Sequence, residues 1–428
     1  MGKKQLLTGD IALEDVLNRN AEDAAAFLCD LIRFPSTRGK EGPVNKFIYE
    51  KMWNLVSEAD LARIPDSFKK HRGYRWLISD LSYEDTPNVR LTLGDSDNKA
   101  KSLILNAHSD VVPASKNQVG AFEPTIENGV VYGRGACDDK GQIAAIYLAL
   151  RSLKVLGLRP KGKVTIDIVI EEENGGNGTL FAIQDAPKAD AAIVMEPTEL
   201  KIIPAVRGAV WFTLTCVGKP GHSGRAGDVV SALKLAVKAM SALEKYHDDL
   251  LASSRGKNPL FDQFENPMPV TFGVMNAGDW PATAPATAIV KGVFGFLPNV
   301  HMREVQDGMT DALRNQGDAW LREHFELKFD MLASDGNEIP VHHPLVTCLE
   351  SASRRSGFDA EISAMTASCD AWFYNNQLGI PTVVMGAGSL KHAHSNEEQI
   401  KIADIEKMGM TLIHFIDEWC GLEEIAVS

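Results

Sequence analysis

The chain has 428 residues, 44% of them apolar, with 44 Lys and Arg against 57 Asp and Glu and a net charge of −13. This length exceeds one ordinary core and predicts two domains. The acidic balance argues against a nucleic-acid surface, which needs clustered Lys and Arg, and no run approaches the roughly 18–20 apolar residues of a membrane span.

Residues Met1 to Asp10 hold too short an apolar stretch for a secretory leader. Glu14 to Phe34 carries Val16, Leu17, Ala24, Phe27, Leu28, Leu31 and Ile32 at helical spacing, and Pro35 ends the run. A second helical pattern runs from Pro43 to about Val56. Residues 57–88 are charged and irregular and yield no assignment. Strands follow at Val89–Leu93 and Ser102–Ala107, the latter apolar enough for a sheet covered on both faces. Asp139–Leu156 reads as a helix, and Val164–Ile170 and Ala191–Met195 as buried strands. This alternation implies an α/β sheet domain.

The texture changes near Arg207. Val210–Val217 reads as a strand, Asp228–Lys245 as a helix, Val270–Met275 and Ala286–Phe296 as strands, His301–His324 as a helix and Glu326–Leu332 as a strand. The order β-α-β-β-α-β is the split βαβ arrangement of a ferredoxin-like α+β sandwich. It predicts an inserted domain over 208–335, interrupting a catalytic domain made of 1–207 and 336–428. A helix near Pro344–Gly357, a strand at Thr382–Met385 and a helix over Ile402–Trp419 complete the first domain. The six cysteines (Cys29, Cys137, Cys216, Cys348, Cys369 and Cys420) form no C-x-x-C pair. Scattered thiols in a chain this long suggest a reducing cytoplasm.

Five polar segments adjoin apolar runs and carry hard metal ligands: His108-Ser109-Asp110, Asp138-Asp139-Lys140, Glu171-Glu172-Glu173, Glu196-Pro197-Thr198 and His394-Ser395-Asn396-Glu397. Three carboxylates and two imidazoles suffice for two divalent ions sharing one carboxylate, with a glutamate left over as proton acceptor. Residues two apart on an extended chain share a side, so Asp110 can hold the imidazole of His108; an ordinary polar strand end is equally open. Asp138 and Asp139 at a helix start can serve as caps. The Gly133–Cys137 loop before them resembles a phosphate cradle, but the two acids repel an anion. Three adjacent acids at the end of a buried strand repel one another unless cations offset them. With Glu196 ending a neighbouring strand, they point to a metal site at the carboxyl edge of the sheet. His222 lies between glycines in the inserted domain, where a turn residue or a side chain reaching out of its own domain are both open. Arg207 at the hinge offers either a salt bridge or a bidentate contact to a substrate carboxylate.

Taken in order, Ala107–Pro113, Gly133-Arg134-Gly135 with Asp138–Gly141, Glu171–Glu173, Met195–Thr198, Gly221–Ser223 and Ala393–Glu397 resemble the M20 metallopeptidases, the group of acetylornithine deacetylase, succinyl-diaminopimelate desuccinylase, aminoacylase and carboxypeptidase G2. The resemblance runs from about residue 20 to the C-terminus. It implies a zinc-peptidase-like three-layer catalytic domain with a ferredoxin-like lid and dimerisation domain. It also implies two divalent metal ions, zinc first, with cobalt or manganese accepting the same ligands. By the same resemblance Asp138 bridges the ions, through a cis peptide to Asp139; His108 and Glu196 complete one shell, and Glu173 and His394 the other. Glu172 matches the general base and acid, Asp110 the carboxylate behind His108, and His222 a lid histidine that reaches the partner subunit's site in dimers. Arg207 is the candidate substrate-binding residue. The implied reaction is hydrolysis of an amide C–N bond in an N-acyl amino acid or related small amine, with dipeptidase or carboxypeptidase activity as the alternative and a silent metal-binding scaffold as the alternative of another class. Gly278–Pro285 and Ser368–Trp372 look more like the acetylornithine deacetylase side of the family, though Ala371 and Trp372 stand where many relatives carry an arginine.

Overall fold

The computed structural model describes residues 10–76, 81–95, 99–185, 188–225, 227–316 and 318–425; the leader reading of residues 1–9 lies outside them. A nine-stranded sheet organises the larger part of the chain. Its order is Glu58–Ala62, Asn88–Leu93, Val164–Val169, Leu103–His108, Ala192–Val194, Thr382–Val384, Ile202–Val206 and Asn337–Glu338, with Ile362–Met365 also paired to Ile202–Val206. The centre is parallel: Leu103–His108 lies between Val164–Val169 and Ala192–Val194, and Ala192–Val194 also pairs with Thr382–Val384. Parallel strands bring their carboxyl ends to one edge, and His108, Glu171–Glu173, Glu196 and the loop toward His394 all follow such ends.

Both faces of this sheet are covered, which is why its strands read as continuous apolar runs. Leu103, Leu105, Ala107, Ile166, Ile168, Ile193 and Val383 share a core with the helices Asp10–Ile32, Lys140–Val155, Pro344–Arg355 and Ile402–Trp419. The alternate residues Ile104, Ile170, Val194 and Val384 pack on the other side against Ile64, Phe68, Tyr83, Leu180 and Tyr374. The result is a three-layer α/β architecture. Segment 57–88, unassigned from sequence, supplies part of the third layer. It holds the edge strand Glu58–Ala62, exposed at Glu58 and Asp60 and half-buried elsewhere, and the short 3-10 turn Asp66–Lys70. Ala59 and Leu61 pack against the core while Glu58 and Asp60 are exposed, an alternation over only five residues that the charged, irregular surroundings obscure.

A second sheet has the order Val270–Ala277, Thr287–Phe296, Gly208–Val217, Phe325–Lys328, each neighbour antiparallel, with Ala333–Ser334 extending beside Gly208–Val217. This is the strand order of a split βαβ sandwich. Val210, Phe212, Leu214 and Cys216 alternate into a separate core under the helices Ala232–Ser254 and Met302–Gln316. Trp211 stands between them on the opposite face. Three expectations shift here, one being the strand expected over Glu326–Leu332, which ends at Lys328. The first helix starts at Ala232 rather than Asp228, because Val230 is taken by a β-bridge to Lys219. The second ends at Gln316, and the Asp318 carboxylate accepts the Trp320 N–H in a turn that leads to the 3-10 segment Leu321–Glu323. Among the described residues no helix is long and apolar enough to cross a membrane.

Candidate metal centre

The carboxyl edge of the parallel strands gathers two overlapping clusters. One is His108, Asp138, Asp139 and Glu196; the other is Asp138, Glu173 and His394, and within each the ligand atoms all lie within 4.8 Å of one another. Asp138 belongs to both. Its Oδ1 is 3.0 Å from His108 Nε2 and its Oδ2 is 3.2 Å from His394 Nε2, which also meets Glu173 Oε1 at 2.9 Å. The five residues expected from sequence to be ligands are therefore brought together, from five separate segments. The peptide between Asp138 and Asp139 is cis. Asp139 is an addition to the expected set: it joins the first cluster and accepts the His108 backbone N–H through Oδ2 at 3.0 Å.

The scaffold beneath is as specific as the cluster. Asp110 lies near His108 Nδ1, but the nearer atom is its carbonyl oxygen at 3.0 Å, with the carboxylate Oδ1 at 3.4 Å. The carboxylate instead accepts the backbone N–H groups of Glu172 and Glu173, at 3.1 and 3.2 Å. Asp110 thus ties the His108 strand end to the turn that carries the acids. Glu171, the first acid of that turn, is buried in a left-handed conformation with φ 59°. It accepts hydrogen bonds from Arg38 Nε at 2.8 Å, Tyr83 Oη at 2.7 Å and Asn177 Nδ2 at 2.8 Å. Gly176 closes the turn at φ +69°, and a Cβ there would meet Asp370 Oδ1 at 2.6 Å. Glu172, Gly175, Gly176, Asp370, Trp372 and the segment Leu332–Ser334 line a common cleft.

The Asp138 loop is held by Glu398, whose Oε1 accepts the backbone N–H groups of Cys137 and Asp138 and whose Oε2 takes a 2.6 Å bond from Arg134 Nη1. Both side chains of this pair are at most 2% exposed. Removing one partner of a buried pair leaves the other charge uncompensated. Arg134→Met is therefore expected to lower unfolding free energy by about 3–5 kcal/mol, and Arg134→Met with Glu398→Gln to recover part of it, as read from denaturant unfolding. Nothing in the sequence separates Glu398 from its neighbour Glu397; only the fold brings it back 260 residues to Asp138.

Electrostatics shows what this cluster lacks. Burial pushes the carboxyls of Asp139 and Glu196 well above their usual range, and neighbouring acids add to the effect. Burial alone would lower the imidazoles, but hydrogen bonds to Asp110 and Asp138 hold His108 well above its ordinary range. The bonds from Asp138 and Glu173 likewise raise His394 to about 11, against the opposing effect of burial. The Oδ1 of Asp139 is buried without a hydrogen-bond partner. Crowded carboxylates drawing protons onto histidines are short of positive charge. Mixed imidazole and carboxylate donors in two overlapping groups fit divalent cations. Glu172 is half-buried beside them; enclosure, and then the charge of Asp370, push its carboxyl well above the usual range.

Two residues expected at the site lie apart from the cluster. His222 is on the two-residue strand Gly221–His222, paired with Thr283–Ala284, and is exposed, its Nδ1 accepting the Gly224 N–H. Arg207 is enclosed where the chain enters the second sheet. Its guanidinium donates to the carbonyls of Thr366 and Gly208, and among the described residues no carboxylate pairs with it.

Residues 104–418 match the model of peptidase family M20/M25/M40. The chain is 27% identical over 372 residues to an N-formyl-4-amino-5-aminomethyl-2-methylpyrimidine deformylase of Halalkalibacterium halodurans, covering 80% of this chain and 85% of that one. It is 27% identical over 345 residues to an acetylornithine deacetylase of Proteus mirabilis, covering 79% and 84%. Among solved structures, a di-peptidase of Saccharomyces cerevisiae superposes with a TM-score of 0.77 at 14% identity, covering 97% and 99%. The family match runs through the strands whose ends carry the cluster, and on that extent the protein belongs to peptidase family M20/M25/M40, a family of metal-dependent hydrolases.

Proposed function

We propose that this protein is a dinuclear metal-dependent amidohydrolase that removes an acyl group from an amino acid or a related small amine. The observation that carries the reading is Asp138, whose two carboxylate oxygens face the two imidazoles, with Glu172 beside both clusters. His108, Asp138 and Glu196 would hold one ion and Asp138, Glu173 and His394 the other, zinc being the metal favoured by these donors, with cobalt and manganese as substitutes. Bound there, such ions would supply Lewis acidity toward a carbonyl oxygen and a lowered pKa for water.

The chain's own groups supply the rest. Glu172 takes a proton from water and returns it to the departing amine nitrogen; its raised proton affinity suits both halves of that exchange. Asp110 fixes the peptide groups on either side of the acids, so the carboxylate is held rather than searching. Arg207, unpaired with an acid among the described residues, is assigned to a substrate carboxylate, which would meet the guanidinium alongside the Thr366 and Gly208 carbonyls. His222 is assigned to the partner subunit's site in a homodimer, steadying the oxyanion that forms when the carbonyl is attacked. On this reading 208–335 is lid and dimer surface, and 1–207 with 336–428 the catalytic body. The six cysteines are buried and unpaired, which supports a reducing, cytoplasmic compartment.

A panel of N-acyl amino acids and unblocked dipeptides, assayed with protein reconstituted in defined zinc, tests the substrate class. At least about tenfold higher kcat/KM for N-acyl amino acids, about 1.4 kcal/mol of transition-state binding, is expected. The opposite preference assigns a dipeptidase or carboxypeptidase, and hydrolysis of no C–N bond by loaded protein assigns a scaffold.

A further inference from the structure

A bulky residue outside the metal centre stands in an unusual backbone conformation. Trp76 has φ 50°, a left-handed geometry that costs a large side chain free energy and persists only where surrounding contacts over-determine it. Those contacts lead in two directions. Toward the second sheet, the Trp76 ring lies 5.6 Å from that of Trp211, and the Trp76 backbone N–H donates to the Asp330 carbonyl at 2.9 Å. Toward the acid turn, its carbonyl accepts from Arg38 Nη2 at 2.7 Å, and the Arg38 guanidinium sits 5.4 Å above its ring. The same guanidinium gives its Nε to Glu171, two residues before Glu173. Glu171 cannot stray, because Tyr83 and Asn177 hold its other oxygen. Asn177 also bonds both the N–H and the carbonyl of Arg75, the residue before Trp76.

One unbroken series of contacts thus joins Trp211 of the second sheet and Asp330 of the loop that follows its strand Phe325–Lys328, through Trp76 and Arg38, to the turn carrying Glu172 and Glu173. We propose that Arg38 and Trp76 are positioning residues: they set the acid turn through Glu171, and they do so only while the second sheet is docked on Trp76. The inference rests on the reading of Glu172 as proton acceptor. It gives the connection between the strands Glu58–Ala62 and Asn88–Leu93 a part in the reaction, reporting the seat of the second sheet to the catalytic carboxylate. The cation is suited to this junction because guanidinium can hydrogen-bond in its plane while an aromatic ring covers its face.

The test compares Arg38→Met, Trp76→Ala, Trp76→Phe and the double variant Arg38→Met/Trp76→Ala in the full-length zinc-loaded protein. Each single loss is expected to lower kcat by about 10- to 100-fold, the cost of a misplaced catalytic group, with metal content unchanged and KM moving far less. Trp76→Phe keeps a ring for Arg38 and Trp211 and should restore most of kcat. The double variant should be no slower than the slower single, because both break one series. Near-UV circular dichroism should lose the Trp76–Trp211 contribution in Trp76→Ala and in Trp211→Phe. Wild-type kcat per folded, metal-loaded chain in Arg38→Met or Trp76→Ala overturns the proposal, as do multiplicative losses in the double variant. Should Trp76→Ala not fold, Arg38→Met and Trp211→Ala, which removes the ring from the other side of the contact, decide on the same kcat criterion. Full activity in Glu172→Gln would fault the proton-acceptor reading instead, leaving the Arg38 result to be judged separately.

Discussion

Glu172→Gln is expected to lower kcat by about 10²- to 10⁴-fold, the usual worth of a positioned acid or base, while metal content stays at the wild-type level. The substitution keeps the shape of the side chain and removes only its ability to take and give a proton. Glu172 is not among the groups that form the two clusters, so the ligand set is untouched. Its backbone N–H still donates to Asp110, so the turn keeps its anchor. KM should move little, because the lost interaction is made in the transition state. Metal analysis and steady-state kinetics on the same preparation check it. A variant that loses its metal in step with its activity would place Glu172 among the ligands, and one that keeps its kcat would remove it from the chemistry.

The second large effect is expected at Asp138. Every other member contributes to one cluster; Asp138 contributes to both. Asp138→Ala should therefore deplete both ions, whereas Glu196→Ala should deplete chiefly one and His394→Ala chiefly the other. The fall in kcat/KM for Asp138→Ala should be about 10³-fold or more, since several kcal/mol of charge stabilisation go with the ions. The fold should survive, because removing one acid relieves repulsion on Glu173 and Glu196, both of which Asp138 drives upward. Metal content per chain, measured after dialysis against a fixed free-zinc buffer, distinguishes the three variants. Equal depletion by all three would mean that the clusters fill as one unit without a shared carboxylate.

Much of this site could be read from the chain because parallel strands write a plain pattern. Dense apolar runs such as Leu103–Ala107 and Val164–Val169 end in His108 and in Glu171–Glu173, and sheets of this kind align those ends. The second sheet was legible for a different reason, its antiparallel strands alternating buried and half-buried positions as in Val210–Cys216. What escaped depends on returns over long distance. Glu398 supports Asp138 from a loop 260 residues away, and Arg38 reaches Glu171 across 133. Asp110 sits in the expected place but acts differently, since its carboxylate fastens the acid turn while its carbonyl faces His108. Residues 57–88 gave no pattern because their apolar members, Ile64, Phe68 and Tyr83, pack singly onto a sheet face instead of forming a periodic face of their own.

The most direct measurement is anomalous diffraction at the zinc edge from crystals of the zinc-reconstituted protein. Two peaks are expected, one bounded by His108, Asp138 and Glu196 and one by Asp138, Glu173 and His394, with the Asp138 carboxylate between them. A single peak, peaks remote from Asp138, or an empty edge of the sheet in protein that hydrolyses its substrate would contradict the shared-carboxylate centre.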